Sequence, residues 1–180
     1  MSHLLKNKTV LILGLANRWS IAYAIAKAFR REGATLVLTY QGDRQRDTVE
    51  ELARELHVQR LLPCDVTQEA DVQHLSEILR AEGDRLDSIV HSIAFANKED
   101  LARPFYETSR DGFLLAHEIS AYSLVAISRA CAPVMTEGGS IMTLSYLGSQ
   151  RVMTNYNVMG VAKAALEASV RYLASELGPK

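Results

Sequence analysis

The chain has 180 residues, 48% hydrophobic and 23% charged, an ordinary globular balance. Its 20 basic and 21 acidic side chains leave a formal charge of −1, without the electrostatic footprint expected of a nucleic-acid binder. No apolar run reaches the ~18 residues of a membrane span, and the segment around Leu4 and Leu5 is too short for a secretory signal. Cys64 and Cys131 are far apart and fit reduced cytoplasmic thiols better than a disulfide framework. The expectation is one domain over residues 1–180 in the cytoplasm, with no membrane, nucleic-acid or metal partner.

Apolar runs then alternate with helical patterns. Thr9 to Leu13 (TVLIL) ends at Gly14 and predicts a buried strand, and Ile21, Ala22, Ile25, Ala28 and Phe29 recur at helical spacing up to Gly33. Leu36 to Thr39 predicts a second strand, followed by a charged helix with Val49, Leu52, Ala53 and Leu56 on one side. Arg60 to Leu62 is a third, weaker strand. Thr67 is the expected cap of a helix that carries Val72, Leu75, Ile78 and Leu79 on its apolar face. Ser88 to His91 is the fourth strand. After a loop, Asp111 to Met135 reads as one long helix, apolar around most of its circumference and so buried on more than one side. Ser140 to Leu144 is the fifth strand, and Tyr156 to Leu177 is the last helix, stopped by Gly178 and Pro179. Strands each followed by a helix predict an α/β fold, a Rossmann-like doubly wound parallel sheet of five strands with helices on both faces.

In such sheets ligands bind at the carboxyl ends of the strands. The first turn, Gly14 to Ala22, has a glycine directly after a strand and a helix directly behind it, as a pyrophosphate site needs. It lacks the second and third glycines of G-x-G-x-x-G and has Ser20 and Ala22 as its small residues. The turn therefore also reads as a plain βα connection. Gln41 ends the second strand, where a ribose hydroxyl would be bound. Arg44 and Arg46 beyond it are either partners for a 2′-phosphate or a solvated helix start, which leaves NADH against NADPH open. Asp65 and Val66, after the third strand, suit an adenine edge and face, or a simple turn. The chemistry-bearing group is Ser145-Tyr146, then Tyr156, then Lys163. Seven residues along a helix fall about 20° short of two turns, so Tyr156 and Lys163 share a face. A tyrosine hydroxyl can donate to a developing oxyanion, and a nearby ammonium favours that exchange. The alternative is a packed tyrosine and a surface lysine.

With these residues in place, the sequence resembles the short-chain dehydrogenase/reductases, and within them the NADH-type bacterial enoyl-acyl-carrier-protein reductases. The marks are G-x5-S-I-A from Gly14 to Ala22, S-I-A-F-A from Ser92 to Ala96, Tyr-x6-Lys at Tyr156 and Lys163, and the extra Tyr146 in T-L-S-Y-L-G. The resemblance implies that Gly14, Ser20 and Ile21 line the pyrophosphate, Gln41 the ribose, and Asp65 and Val66 the adenine. It implies that Ile93 touches the nicotinamide, Ala96 the acyl substrate, and that Tyr146 lines the substrate pocket. Tyr156 would donate to the thioester carbonyl oxygen and Lys163 would hold the cofactor ribose. The implied activity is hydride transfer from NADH to the β-carbon of an enoyl thioester on acyl carrier protein, in fatty-acid synthesis, by a homotetramer. The family continues past this last helix, so the chain is expected to be C-terminally truncated relative to it. The competing expectations are a short-chain reductase acting on a ketone or alcohol, and a nucleotide-binding fragment without catalysis.

Overall fold

The computed structural model describes residues 3–83 and 85–180. Five parallel strands form one sheet in the order β3-β2-β1-β4-β5: β1 Thr9–Leu13, β2 Thr35–Tyr40, β3 Arg60–Pro63, β4 Ser88–His91 and β5 Ser140–Thr143. The register sets Val10 beside Leu36 on one side and Ser88 on the other. Alternate residues face opposite ways. Val10, Ile12, Leu36, Leu38 and Val90 pack with Ala22 and Ala26 of helix α1 (Ile21–Arg31) and with Val49, Leu52 and Ala53 of α2 (Gly42–Glu55). On the opposite face Leu11, Leu13, Val37 and Ile89 are fully buried. Burial on both faces is why these strands read as unbroken apolar runs.

The chain forms two compact units. The first runs to Ser92 and resumes at Arg129–Thr143, and so holds the whole sheet; the second is Ile93–Ser128 with Leu144–Lys180. In the first unit, α3 (Glu69–Ala81) packs on β3. Thr67 does not cap α3, contrary to the expectation. Gln68 holds the cap position without a side-chain bond, while the N–H and hydroxyl of Thr67 both donate to Asp65 Oδ1. The shorter reach to Asp65 closes a tight turn one step before the helix can use the hydroxyl.

In the second unit, α4 (Lys98–Ala102) occupies part of the expected loop. The long helix is present but is not uniform. It is built from α5 (Arg110–His117), a π turn at Glu118–Tyr122 and α6 (Ser123–Cys131), the last three residues of which belong to the first unit. The last helix, α7, spans Asn157–Leu177. None of the described helices is long and apolar enough to cross a membrane.

The start of β4 is tied to β1 by a carboxylate. Asp87 accepts from Lys8 Nζ at 2.8 Å, from the Thr9 N–H at 2.9 Å and from Arg85 at 2.9 Å. Burial would raise its pKa, but these bonds outweigh it and bring the carboxyl down to about 2. A depressed carboxylate stabilises the fold above the unfolded value and loses that contribution as pH falls through the folded one. Acid should therefore remove roughly 1–2 kcal/mol between about pH 4 and about pH 2, after screening at the partly exposed Lys8 and Arg85. Thermal melts across that interval should show the slope in the wild type and a flatter limb in Asp87→Asn.

Candidate active site

In the first unit the residues expected around a dinucleotide sit on the turns that follow β1, β2 and β3. Gly14 leaves β1 with φ +91°, a left-handed conformation that side-chain-bearing residues rarely adopt. The turn then closes on itself. Asn17 Oδ1 accepts the Trp19 N–H at 2.8 Å, Ser20 Oγ donates to Asn17 O at 2.7 Å, and Ser20 caps α1 by accepting from the Tyr23 N–H. Ile21 opens α1 and is exposed. Arg18 pairs with Glu51 at 2.9 Å and with Glu55, and Tyr23 donates to Glu55, so the turn is braced against α2. A left-handed glycine ahead of a capped helix N-terminus fits a pyrophosphate, because backbone N–H groups and the helix dipole both favour an anion there.

Gln41 and Asp65 come together, with Gln41 Nε2 donating to Asp65 Oδ2 at 3.0 Å. Burial pushes the Asp65 carboxyl up, but Gln41 and Thr67 more than reverse this and hold it below its ordinary value. Val66 beside it is half-buried. Arg46 pairs along α2 with Glu50 at 2.7 Å and lies 5.9 Å from the Tyr40 ring centroid, which is the solvated-helix arrangement.

In the second unit, the loop from Leu144 to Ser149 carries Tyr146 and touches both Tyr156 and Lys163. Lys163, on α7, is 5% exposed and its Nζ donates to Leu144 O at 2.7 Å. Two residues further along, Tyr146 meets Tyr156 edge-on, with ring centroids 4.8 Å apart at 61°. Gly148 lies close against the same ring: a Cβ there would sit 2.4 Å from a Tyr156 ring carbon. Tyr156 is not in α7 as expected but immediately before it, flanked by Asn155 and Asn157 at φ +59° and +35°. The side chain of Asn157 donates to the carbonyls of Leu101 and Arg103 at 2.8 and 2.7 Å and so holds this turn. Helical spacing therefore does not set the tyrosine's place; the two left-handed asparagines and the close contact with Gly148 do.

Burial, and then Tyr146, raise the Tyr156 pKa, whereas burial lowers that of Lys163. The phenol is thus a protonated donor at neutral pH. A cleft of about 410 Å³ adjoins it, walled by Phe105, Gly148, Met153, Gly160 and Val161. Glu167, which sequence reasoning missed, accepts from both Ser145 and Ser149 and fastens the two ends of the Tyr146 loop to α7. Its only sequence signal is its place one helical turn beyond Lys163. Gly160 was missed too: a Cβ there would press on Gly148 O at 2.8 Å. Ile93 and Ala96 are half-buried on the loop after β4.

A sheet of this order with a nucleotide-type first turn, in a chain that also carries a buried lysine and a protonated tyrosine each contacted by the Leu144–Ser149 loop, defines a Rossmann-fold oxidoreductase. The comparisons narrow the class. The family model described as Enoyl-(Acyl carrier protein) reductase matches residues 14–180. The NADH-type enoyl-acyl-carrier-protein reductase of Bacillus cereus is 52% identical over 177 residues, 97% of this chain and 69% of that protein. The Escherichia coli enzyme is 45% identical over 177 residues, 98% of this chain and 68% of that protein. Among solved structures, the Anaplasma phagocytophilum reductase in complex with NAD matches with a TM-score of 0.97 at 44% identity, covering 99% of this chain and 69% of that one. The Bacillus cereus enzyme with NADP+ and indole naphthyridinone gives 0.96 at 51% identity, covering 99% and 70%. The chain belongs to the enoyl-acyl-carrier-protein reductase family.

Proposed function

We propose that the chain is an NADH-dependent enoyl-acyl-carrier-protein reductase, reducing the double bond of a trans-2-enoyl thioester during fatty-acid synthesis. The observation that carries this reading is the Leu144–Ser149 loop, which engages Lys163 at one end and packs Tyr146 and Gly148 on Tyr156 at the other. NADH, when bound, supplies the hydride. Gly14, Ser20 and Ile21 receive its pyrophosphate, Gln41 the adenosine ribose, and Asp65 with Val66 the adenine. Ile93 lies at the nicotinamide and Ala96 at the acyl chain, with Tyr146 walling the substrate.

As the β-carbon is reduced, negative charge collects on the thioester oxygen, and Tyr156 donates its hydroxyl hydrogen bond there. Lys163 holds the nicotinamide ribose through its ammonium hydrogens and makes the phenol a better donor by its charge. The buried free thiols of Cys64 and Cys131, whose pKa values burial pushes up to about 12, suit a reducing cytoplasm. Exposed Leu114, Tyr122, Val161, Val170 and Tyr172 on the helices of the second unit support a homo-oligomer, a tetramer in this reading.

The test is oxidation of NADH by crotonyl-coenzyme A, followed by nicotinamide absorbance, on a sample whose mass is measured by sedimentation equilibrium. Reduction of the enoyl thioester by a tetramer is the expected result. Reduction of acetoacetyl-coenzyme A in its place would move the chain to the ketone reductases.

A further inference from the structure

The loop from Ser92 to Asn97 has no regular structure, and Phe95 at its centre leaves 48% of its surface exposed. Burial therefore does not hold it. The backbone of Phe95 is held by one side chain from the π turn at Glu118–Tyr122. Ser120 is fully buried; its Oγ accepts the Phe95 N–H at 3.0 Å and donates to Phe95 O at 3.1 Å, so a single hydroxyl fixes both backbone groups of one residue. The π turn is adapted to the task. Widening the helix by one residue interrupts the ordinary ladder, and Ser123 Oγ satisfies the Ile119 carbonyl at 2.6 Å. Phe95 lies between Ile93 and Ala96, two residues after one and directly before the other.

We propose that Ser120 is a positioning residue for the acyl substrate, setting the backbone of Phe95 and through it the place of Ala96. This rests on the reading that the Ile93–Ala96 loop faces the reacting groups. Without the hydroxyl, the Phe95 N–H and C=O must turn to water, and the centre of the loop loses its anchor.

The experiment compares Ser120→Ala with Ser128→Ala, which removes another fully buried hydroxyl on the same helical run, one with no hydrogen-bond partner among the described residues. Hydrogen exchange of the Phe95 amide should quicken about tenfold or more in Ser120→Ala and stay at the wild-type rate in Ser128→Ala. The KM for crotonyl-coenzyme A, and its calorimetric Kd, should rise about tenfold in Ser120→Ala alone, with kcat within about twofold. Unchanged Phe95 exchange, or faster exchange with unchanged thioester affinity, overturns the positioning role alone. Failure of the wild type to bind the thioester at all overturns the enoyl reading and the proposal together.

Discussion

Replacing Lys163 by methionine is expected to lower enoyl thioester turnover by about a thousandfold and to weaken NADH binding by at least about tenfold. Two losses compound. Under the proposed roles, the ammonium makes charge-assisted bonds to the ribose, each of the kind that contributes about 1.5–3 kcal/mol. Its charge also favours the Tyr156 hydroxyl as donor to the thioester oxygen, and removing one such electrostatic contributor costs about 2.7–4 kcal/mol in comparable sites. Lys163 also bonds Leu144 O, so the Tyr146 loop loses one of its ties to α7 while Ser145 keeps its bond to Glu167. Methionine retains the length and apolar stem of a side chain that is 5% exposed, and the fold should persist. Circular dichroism should be native, with nicotinamide fluorescence titration and steady-state rates carrying the change. Arginine should not rescue it, because a planar guanidinium does not fit a pocket built around a point charge and one carbonyl. Wild-type turnover in Lys163→Met would remove the lysine from the proposed mechanism.

Spacing alone leaves the Tyr156 and Lys163 pair open, because a packed tyrosine and a surface lysine fit it equally; its place after the fifth strand and the family resemblance single it out. The strands and the left-handed first turn are readable because a parallel sheet buried on both faces leaves uninterrupted apolar runs, and because Gly14 follows one of them directly. The π turn is not. One extra residue rotates the following helix face by about 100°, but a helix apolar around most of its circumference hides that phase shift. The helical pattern of Val158, Met159 and Ala162 gives no sign that the regular helix begins only after Tyr156. The two left-handed asparagines that place it announce themselves only weakly, since asparagine is as common in ordinary turns. Ser120, Gly148 and Glu167 act through partners distant in sequence, and nothing local marks a serine or a glutamate for such a partner.

Gly112→Ala should destabilise the chain by about 2–3 kcal/mol, a fall of roughly 5–10 °C in Tm for a chain of this size. Gly112 is in α5, where a Cβ would lie 1.7 Å from Asp100 Oδ2 and 2.7 Å from Ser109 Oγ, both far inside contact distance. Neither neighbour is free to yield. Asp100 is 2% exposed and accepts from the Ser109 N–H at 3.0 Å and from the Ser109 hydroxyl, while that hydroxyl caps α5 by accepting the Gly112 N–H at 3.0 Å. The added methyl must therefore break the cap or displace α4, which carries Asp100. Displacing α4 reaches the chemistry, because its end presents the Leu101 and Arg103 carbonyls that hold Asn157, the residue after Tyr156. Turnover should fall with stability in Gly112→Ala, even below the melting range. A double-mutant cycle separates the clash from a simple loss of glycine. If the aspartate is the obstacle, Asp100→Ala combined with Gly112→Ala should be less destabilised than the sum of the two single changes. Strict additivity would show that the strain lies elsewhere on α5.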